Sequence, residues 1–145
     1  MIKYQTIREG IARCIMKAFP TFPIDDDDAR HLEGPSFLVR LADNMHKLDD
    51  AHSIRRVMAF NVVYFAPHHT PKENIYEAGL RLACALQPTI AFGNREITVY
   101  DVETRLIDED FQVDFTLDFF DELREKEKIN YMQALEFTIT IGKGA

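Results

Sequence analysis

Phe111-Gln112-Val113-Asp114-Phe115-Thr116-Leu117-Asp118-Phe119-Phe120 alternates apolar and polar residues strictly through Phe119. An extended chain points successive side chains to opposite faces. Phe111, Val113, Phe115, Leu117 and Phe119 therefore share one face, and Gln112, Asp114, Thr116 and Asp118 the other. The segment reads as a strand in a sheet with one dry face and one that meets water or a polar partner. Nothing in it resembles reaction chemistry; it is architecture.

Working outward, residues 121–130 are highly charged and fit a strand continuation, a short helix or a loop. Beyond them Leu135, Phe137, Ile139 and Ile141 alternate with Glu136, Thr138 and Thr140, which predicts another half-dry strand. Upstream, the turn Ile107-Asp108-Glu109-Asp110 follows a strand over 96–105, which is itself preceded by Thr89 to Phe92 and a Gly93-Asn94 turn.

A helix precedes these strands. Thr70-Pro71-Lys72-Glu73 predicts a Thr cap, Pro at the first helical position and Glu three residues after the cap. Ile75, Ala78, Gly79, Leu82, Ala85 and Leu86 form its apolar stripe, and Pro88 follows its end. A glycine inside a helix costs about 1 kcal/mol against alanine, so Gly79 predicts close packing on the sheet.

Residues 57–65 are apolar on both faces except at Asn61, the mark of a central strand covered on both sides. Residues 35–41 begin another strand. The polar excursion over 43–53 between them reads as an extended hairpin tip. At the N-terminus Ile7, Ile11, Cys14, Ile15, Ala18 and Phe19 make a helical stripe, with Thr6 and Glu9 as a capping box and Pro20 and Pro23 as terminators. The order α, β, β, α, then several β predicts an α+β fold, with two helices packed on a largely antiparallel β-sheet.

A chain of 145 residues with 46% hydrophobic residues and 11 Phe is expected to form a single domain, 1–145, with a substantial core. Its net charge of −7 argues against tight wrapping of nucleic acid, which needs dense Lys and Arg. Two cysteines, Cys14 and Cys84, both placed on helix stripes, suggest a reducing compartment without a disulfide framework. The first residues lack the apolar run of a signal peptide, and no segment approaches a membrane span, so cytoplasmic folding is expected.

The chain carries few residues in patterns that suit chemistry. His68-His69 reads as a loop before the second helix, and His31, His46 and His52 fall in polar surface stretches. The acidic run Asp25, Asp26, Asp27, Asp28 lacks the glycine and spacing of a calcium loop and reads as solvated. Ser36 and Ser53 have no nucleophile-elbow setting, and no glycine-rich loop fits a phosphate. Asp114 and Asp118 share a strand face about 13 Å apart and read as solvated. Arg40 and Arg55-Arg56 can pair either with another copy or with the chain's own acidic loops. No catalytic, cofactor-binding or metal site is expected.

Taken in order, these segments resemble the tail terminator (tail completion) family of long-tailed phages and prophages. The resemblance rests on a helix ending in Phe19-Pro20-Thr21-Phe22-Pro23-Ile24 and on the segment around Pro35-Ser36-Phe37-Leu38-Val39. A strand ending Val63-Tyr64-Phe65, a Pro-opened helix and the strand closing on Phe115-Thr116-Leu117-Asp118-Phe119-Phe120 follow. Met132, Gln133, Leu135 and Glu136 then lead into the last strand. It covers nearly the whole chain through structural motifs. Family members often carry Arg before the Pro-Ser-Phe segment, where this chain has Glu33-Gly34.

The resemblance implies a structural protein, not an enzyme, with no cofactor. It implies a ring, commonly a hexamer in the assembled tail and in some cases monomeric in solution, that caps the tail tube and ends its polymerisation. Such a ring presents a docking surface to the head. The implied partners are other copies, tail tube protein and the head–tail connector, with DNA passing through without specific binding. An acidic inner wall would repel that DNA. The implied location is the host cytoplasm during assembly and then the virion tail. Candidate assembly contacts are Asp25, Asp26, Asp27, Asp28, Asn44, His46, Lys47, Asp49, Asp50, Arg55 and Arg56. A head–tail joining protein of similar fold, and a small ligand-binding or enzymatic α+β domain, are the competing readings.

Overall fold

A computed structural model describes residues 1–25 and 35–122. The order is α1 (Tyr4–Ala18), β1 (Ile24–Asp25), β2 (Ser36–Leu48), β3 (Ser53–Phe65), α2 (Lys72–Ala85), β4 (Thr89–Phe92), β5 (Arg95–Ile107) and β6 (Asp110–Glu122). Across the sheet the strands run β1-β2-β3-β6-β5-β4. All neighbours are antiparallel except β1, which runs parallel to β2 through Ile24–Phe37 and Asp25–Leu38. The architecture is the expected α+β, with both helices packed against the sheet.

The alternating stretch is β6, between β3 and β5, and its dry face is where the helices lie. Phe111, Val113, Phe115, Leu117 and Phe119 are buried there with Ile7, Ile11 and Ile15 of α1, Ile75 and Leu82 of α2, and Leu86, which caps its C-terminus. Ring contacts continue the core sideways: Phe115 stacks with Phe60 at 5.7 Å between centroids, and Phe37 meets Tyr64 tilted at 5.3 Å. Gly79 does mark a close approach. A Cβ there would overlap the Phe111 ring, so α2 settles onto β6 only because that position has no side chain. Gly10 plays the same part where α1 meets the Ala91 carbonyl of β4.

Several expectations change. The excursion over 43–53 is mostly strand: β2 runs to Leu48 and pairs with β3 down to Ile54, leaving a short turn at 49–52. The expected hairpin tip is thus a pair of extended strand ends, and the ladder satisfies the backbone of this largely polar arm. Neither capping box forms. Thr6 lies inside α1, and the Thr70 hydroxyl donates to the Pro67 carbonyl, not toward the first turn of α2. Cys84 is exposed, off the stripe, while Cys14 packs against the core. β3 is covered on both sides only in its last third, where Leu38, Val63 and Phe65 form a second buried cluster on the face away from the helices. The predicted strand over 135–141, the charged stretch beyond Glu122, Asp26, Asp27, Asp28, His31 and Glu33-Gly34 lie outside the described residues.

Candidate assembly surface

The face of the sheet away from the helices carries an ordered polar row. Asn61, 4% exposed on β3, receives Arg40 through Nε and Nη2 at 3.2 and 2.7 Å. Its own Nδ2 donates to Gln112 Oε1 at 3.2 Å and Asp114 Oδ1 at 2.6 Å. Arg105 Nη2 closes the row on Asp114 Oδ2 at 2.7 Å. These side chains line a shallow depression of about 360 Å³. Asn61, the one polar residue between Val57 and Phe65 of β3, is thus the hinge of a cross-strand network.

Asp114 and Asp118 are not merely solvated. Each is gripped by an arginine across the sheet, Asp114 by Arg105 and Asp118 by Arg55 through Nε and Nη2 at 3.0 and 2.6 Å. The bidentate Arg55 fork holds the Asp118 carboxyl below its usual range, and the Arg55 guanidinium is correspondingly raised. The arginines do pair within the chain, with strand residues in place of the acidic loops. Registration across the sheet is needed to see this.

The other expected contacts scatter over the hairpin end. Asn44 and Lys47 are exposed on β2, with Asn44 level with Met58 and Lys47 with Arg55. Asp49 and Asp50 form the exposed turn; Asp50 Oδ1 accepts from the backbone N–H of His52 and Ser53 at 2.7 and 2.9 Å, which lowers its pKa. His46 is half-buried on the helix side, its pKa lowered by burial and then by Arg56. Arg56 is 3% exposed and paired inside the chain with Asp121. Asp25 lies in β1 beside Leu38. The structure therefore brings together Asn44, His46, Lys47, Asp49, Asp50 and Arg55, keeps Arg56 inside, and sets Asp25 at the far end of β2.

Two sheet edges are open among the described residues. Among the described residues, β1 pairs with Phe37 and Leu38 of β2. On β5, β4 reaches only Thr98, and the Val99 N–H then bonds the Pro88 carbonyl. Each open edge carries a bulge, at Leu41/Asp43 on β2 and at Tyr100/Glu103 on β5, where Asp101 takes φ of 53°. Met45, Tyr100, Ile107 and Phe120, between 44% and 51% exposed, lie on the helix-free face. Among the described residues no three or more His, Cys, Asp or Glu are gathered to hold a metal, and no helix is long and apolar enough to cross a membrane.

A family model described as phage tail terminator protein matches residues 6–130. No curated protein shows a comparable match. Several solved structures are similar; one of them is covered over 98% of its length by 86% of this chain, with 14% identity and a TM-score of 0.47, too loose a likeness to bear on function.

Proposed function

This chain belongs to the phage tail terminator family, and from that premise we propose that it caps the finished tail tube as a ring of copies. In this reading the ring stops tube polymerisation and presents the surface on which the head docks. The family places the protein among the structural components of tail completion. The observation that carries the finer reading is the extent of the match. It spans α1 from Thr6, α2 and every described strand, which supports reading the described sheet, and not a borrowed fragment, as terminator-like.

The surface chemistry suits such work. Among the described residues, the polar groups of this face are engaged with one another across strands and line a shallow depression. Asn44, Lys47, Asp49, Asp50 and Arg55 stand accessible at the hairpin end as contacts for tube protein or connector. The partners in this reading are further copies, commonly six, tail tube protein and the connector, joined in the host cytoplasm and carried in the virion tail.

The helix-free face bears Arg40, Lys47, Arg55 and Arg105 against Asp43, Glu103, Asp110, Asp114, Asp118 and Glu122. Turned to the lumen, this face would be weakly acidic, and its paired charges would let DNA pass without a strong grip. The test is pelleting with tubes of the matching tail protein. Shearing a fixed mass of tube should raise the bound chain in step with the number of ends. Binding in proportion to tube mass would make it a lateral binder, and binding only to connector would make it a joining protein.

A further inference from the structure

We propose that Arg40 of one copy is completed by the Asp50 carboxylate of the next, with one such pair at each contact of the ring. The proposal rests on the terminator reading for what gathers the copies. Three arginines stand on the helix-free face. Arg55 forks onto Asp118 and Arg105 bonds Asp114, whereas Arg40 holds the neutral amide oxygen of Asn61. Among the described residues, Arg40 is thus the guanidinium of this face with no carboxylate partner. It is nonetheless held in place. Its Nε and Nη2 both donate to Asn61 Oδ1, and Asn61 Nδ2 is fixed in turn by Gln112 and Asp114. That grip uses one side of the guanidinium. It leaves the end formed by Nη1 and Nη2, an edge that takes a carboxylate with two prongs. Arg40 and Arg105 flank one depression of about 360 Å³, where two guanidinium groups face the single carboxylate of Asp114. On a chain of net charge −7, this is a locally positive site.

An acid is held as firmly at the far end of β2. Asp50 sits in the exposed turn at 49–52, where Oδ1 accepts the N–H groups of His52 and Ser53 at 2.7 and 2.9 Å. Those bonds keep the carboxylate charged. Asp43, Asn44 and Met45 are consecutive and all exposed, so both faces of β2 stand clear of the core on the way to that turn. Asp50 does not reach Arg40 of its own copy. Ile54, beside the turn, and Asn61, beside Arg40, are about seven residues or about 23 Å apart along β3. The hairpin end of one copy against the helix-free face of the next joins two different patches, and contacts of that kind are the ones that close a ring. Ordering long side chains opposes association, and here both partners are ordered before they meet. Of the accessible groups at the hairpin end, this assigns Asp50 to the neighbouring copy.

The test is charge exchange on tube ends. Arg40→Glu and Asp50→Lys should each reduce the chain retained on sheared tubes several-fold. Mixed in equal amounts, the two variants should recover retention, because alternating copies restore an opposite-charge pair at every contact. Both changes in one chain should recover it as well. A milder set guards against misfolding. Arg40→Gln and Asp50→Asn, with melting temperatures unchanged, should each weaken retention, and the double variant should be no weaker than either. Losses that add in the double variant overturn the pairing. So does recovery in the doubly changed chain but not in the mixture, which would place the contact within one copy. Wild-type chain that counts tube ends while the exchanges recover nothing overturns the pairing and leaves the terminator reading standing. Wild-type chain that never binds tubes overturns both.

Discussion

Arg56 Nη1 lies 3.0 Å from Asp121 Oδ2, with both side chains less than a tenth exposed, and the two together hold the N-terminal segment. The same Nη1 donates to the Ile2 carbonyl at 2.6 Å, and the Ile2 N–H donates to Asp121 Oδ2 at 2.8 Å. The Phe119 ring, 5.4 Å from the guanidinium, completes the surroundings. A buried ion pair of this kind fastens the start of α1 to the ends of β3 and β6.

Asp121→Asn should therefore lower the unfolding free energy by about 3–5 kcal/mol, because it strands a buried guanidinium. Arg56→Met with Asp121→Leu, which removes both charges, should cost less than the single change. Urea unfolding checks both, and a cost under about 1 kcal/mol for Asp121→Asn would contradict the clamp.

Gly79→Ala should destabilise the fold although alanine is the better helix former. The propensity gain is about 1 kcal/mol, while forcing a methyl into the Phe111 ring costs about 1–3 kcal/mol. Phe111→Leu in the Gly79→Ala background should recover part of the loss, measured by thermal melting of the four-way cycle. A simple sum of the two single effects would show that the residues do not share this contact.

Asn61→Leu should cost about 1–3 kcal/mol, since it leaves Arg40 and Gln112 without their cross-strand partner and Asp114 with Arg105 alone. Denaturant unfolding reads it. A neutral result would mean the row is decorative.

Stability should fall in acid through Asp118 and Asp50. Their carboxyl pKa values are lowered, Asp118 by the Arg55 fork and Asp50 by two backbone N–H groups. A depressed folded pKa gives stability that is full above the unfolded value, about 3.9, and is lost as pH falls through the folded value. The gap between wild type and Asp118→Asn should be small at neutral pH, because the pair is exposed, and should vanish as pH drops below that window. A gap that widens in acid would contradict the assignment.

Sequence reasoning reached what repeats with a local period. The alternation of β6, the stripes of both helices and the meaning of Gly79 follow from neighbours two to four residues apart. It failed where partners are distant. Arg55 and Asp118 are 63 residues apart in sequence, and Arg56 and Asp121 are 65 apart, so only the β3–β6 register shows that one pair is exposed and the other buried. The arm ending at Leu48 read as a hairpin tip, but how far its strands run was not legible, because polarity on both faces of a strand and polarity of a loop look alike without a ladder. Thr70 matched a cap by type, but its hydroxyl turned back to Pro67.

The central claim is that this chain ends tail tubes. Tube protein polymerised with increasing amounts of the chain, imaged by electron microscopy, measures it most directly. Mean tube length should fall as the chain is raised, with a ring at one end of each stopped tube. Lengths that do not change, on tubes whose ends stay bare, would contradict it.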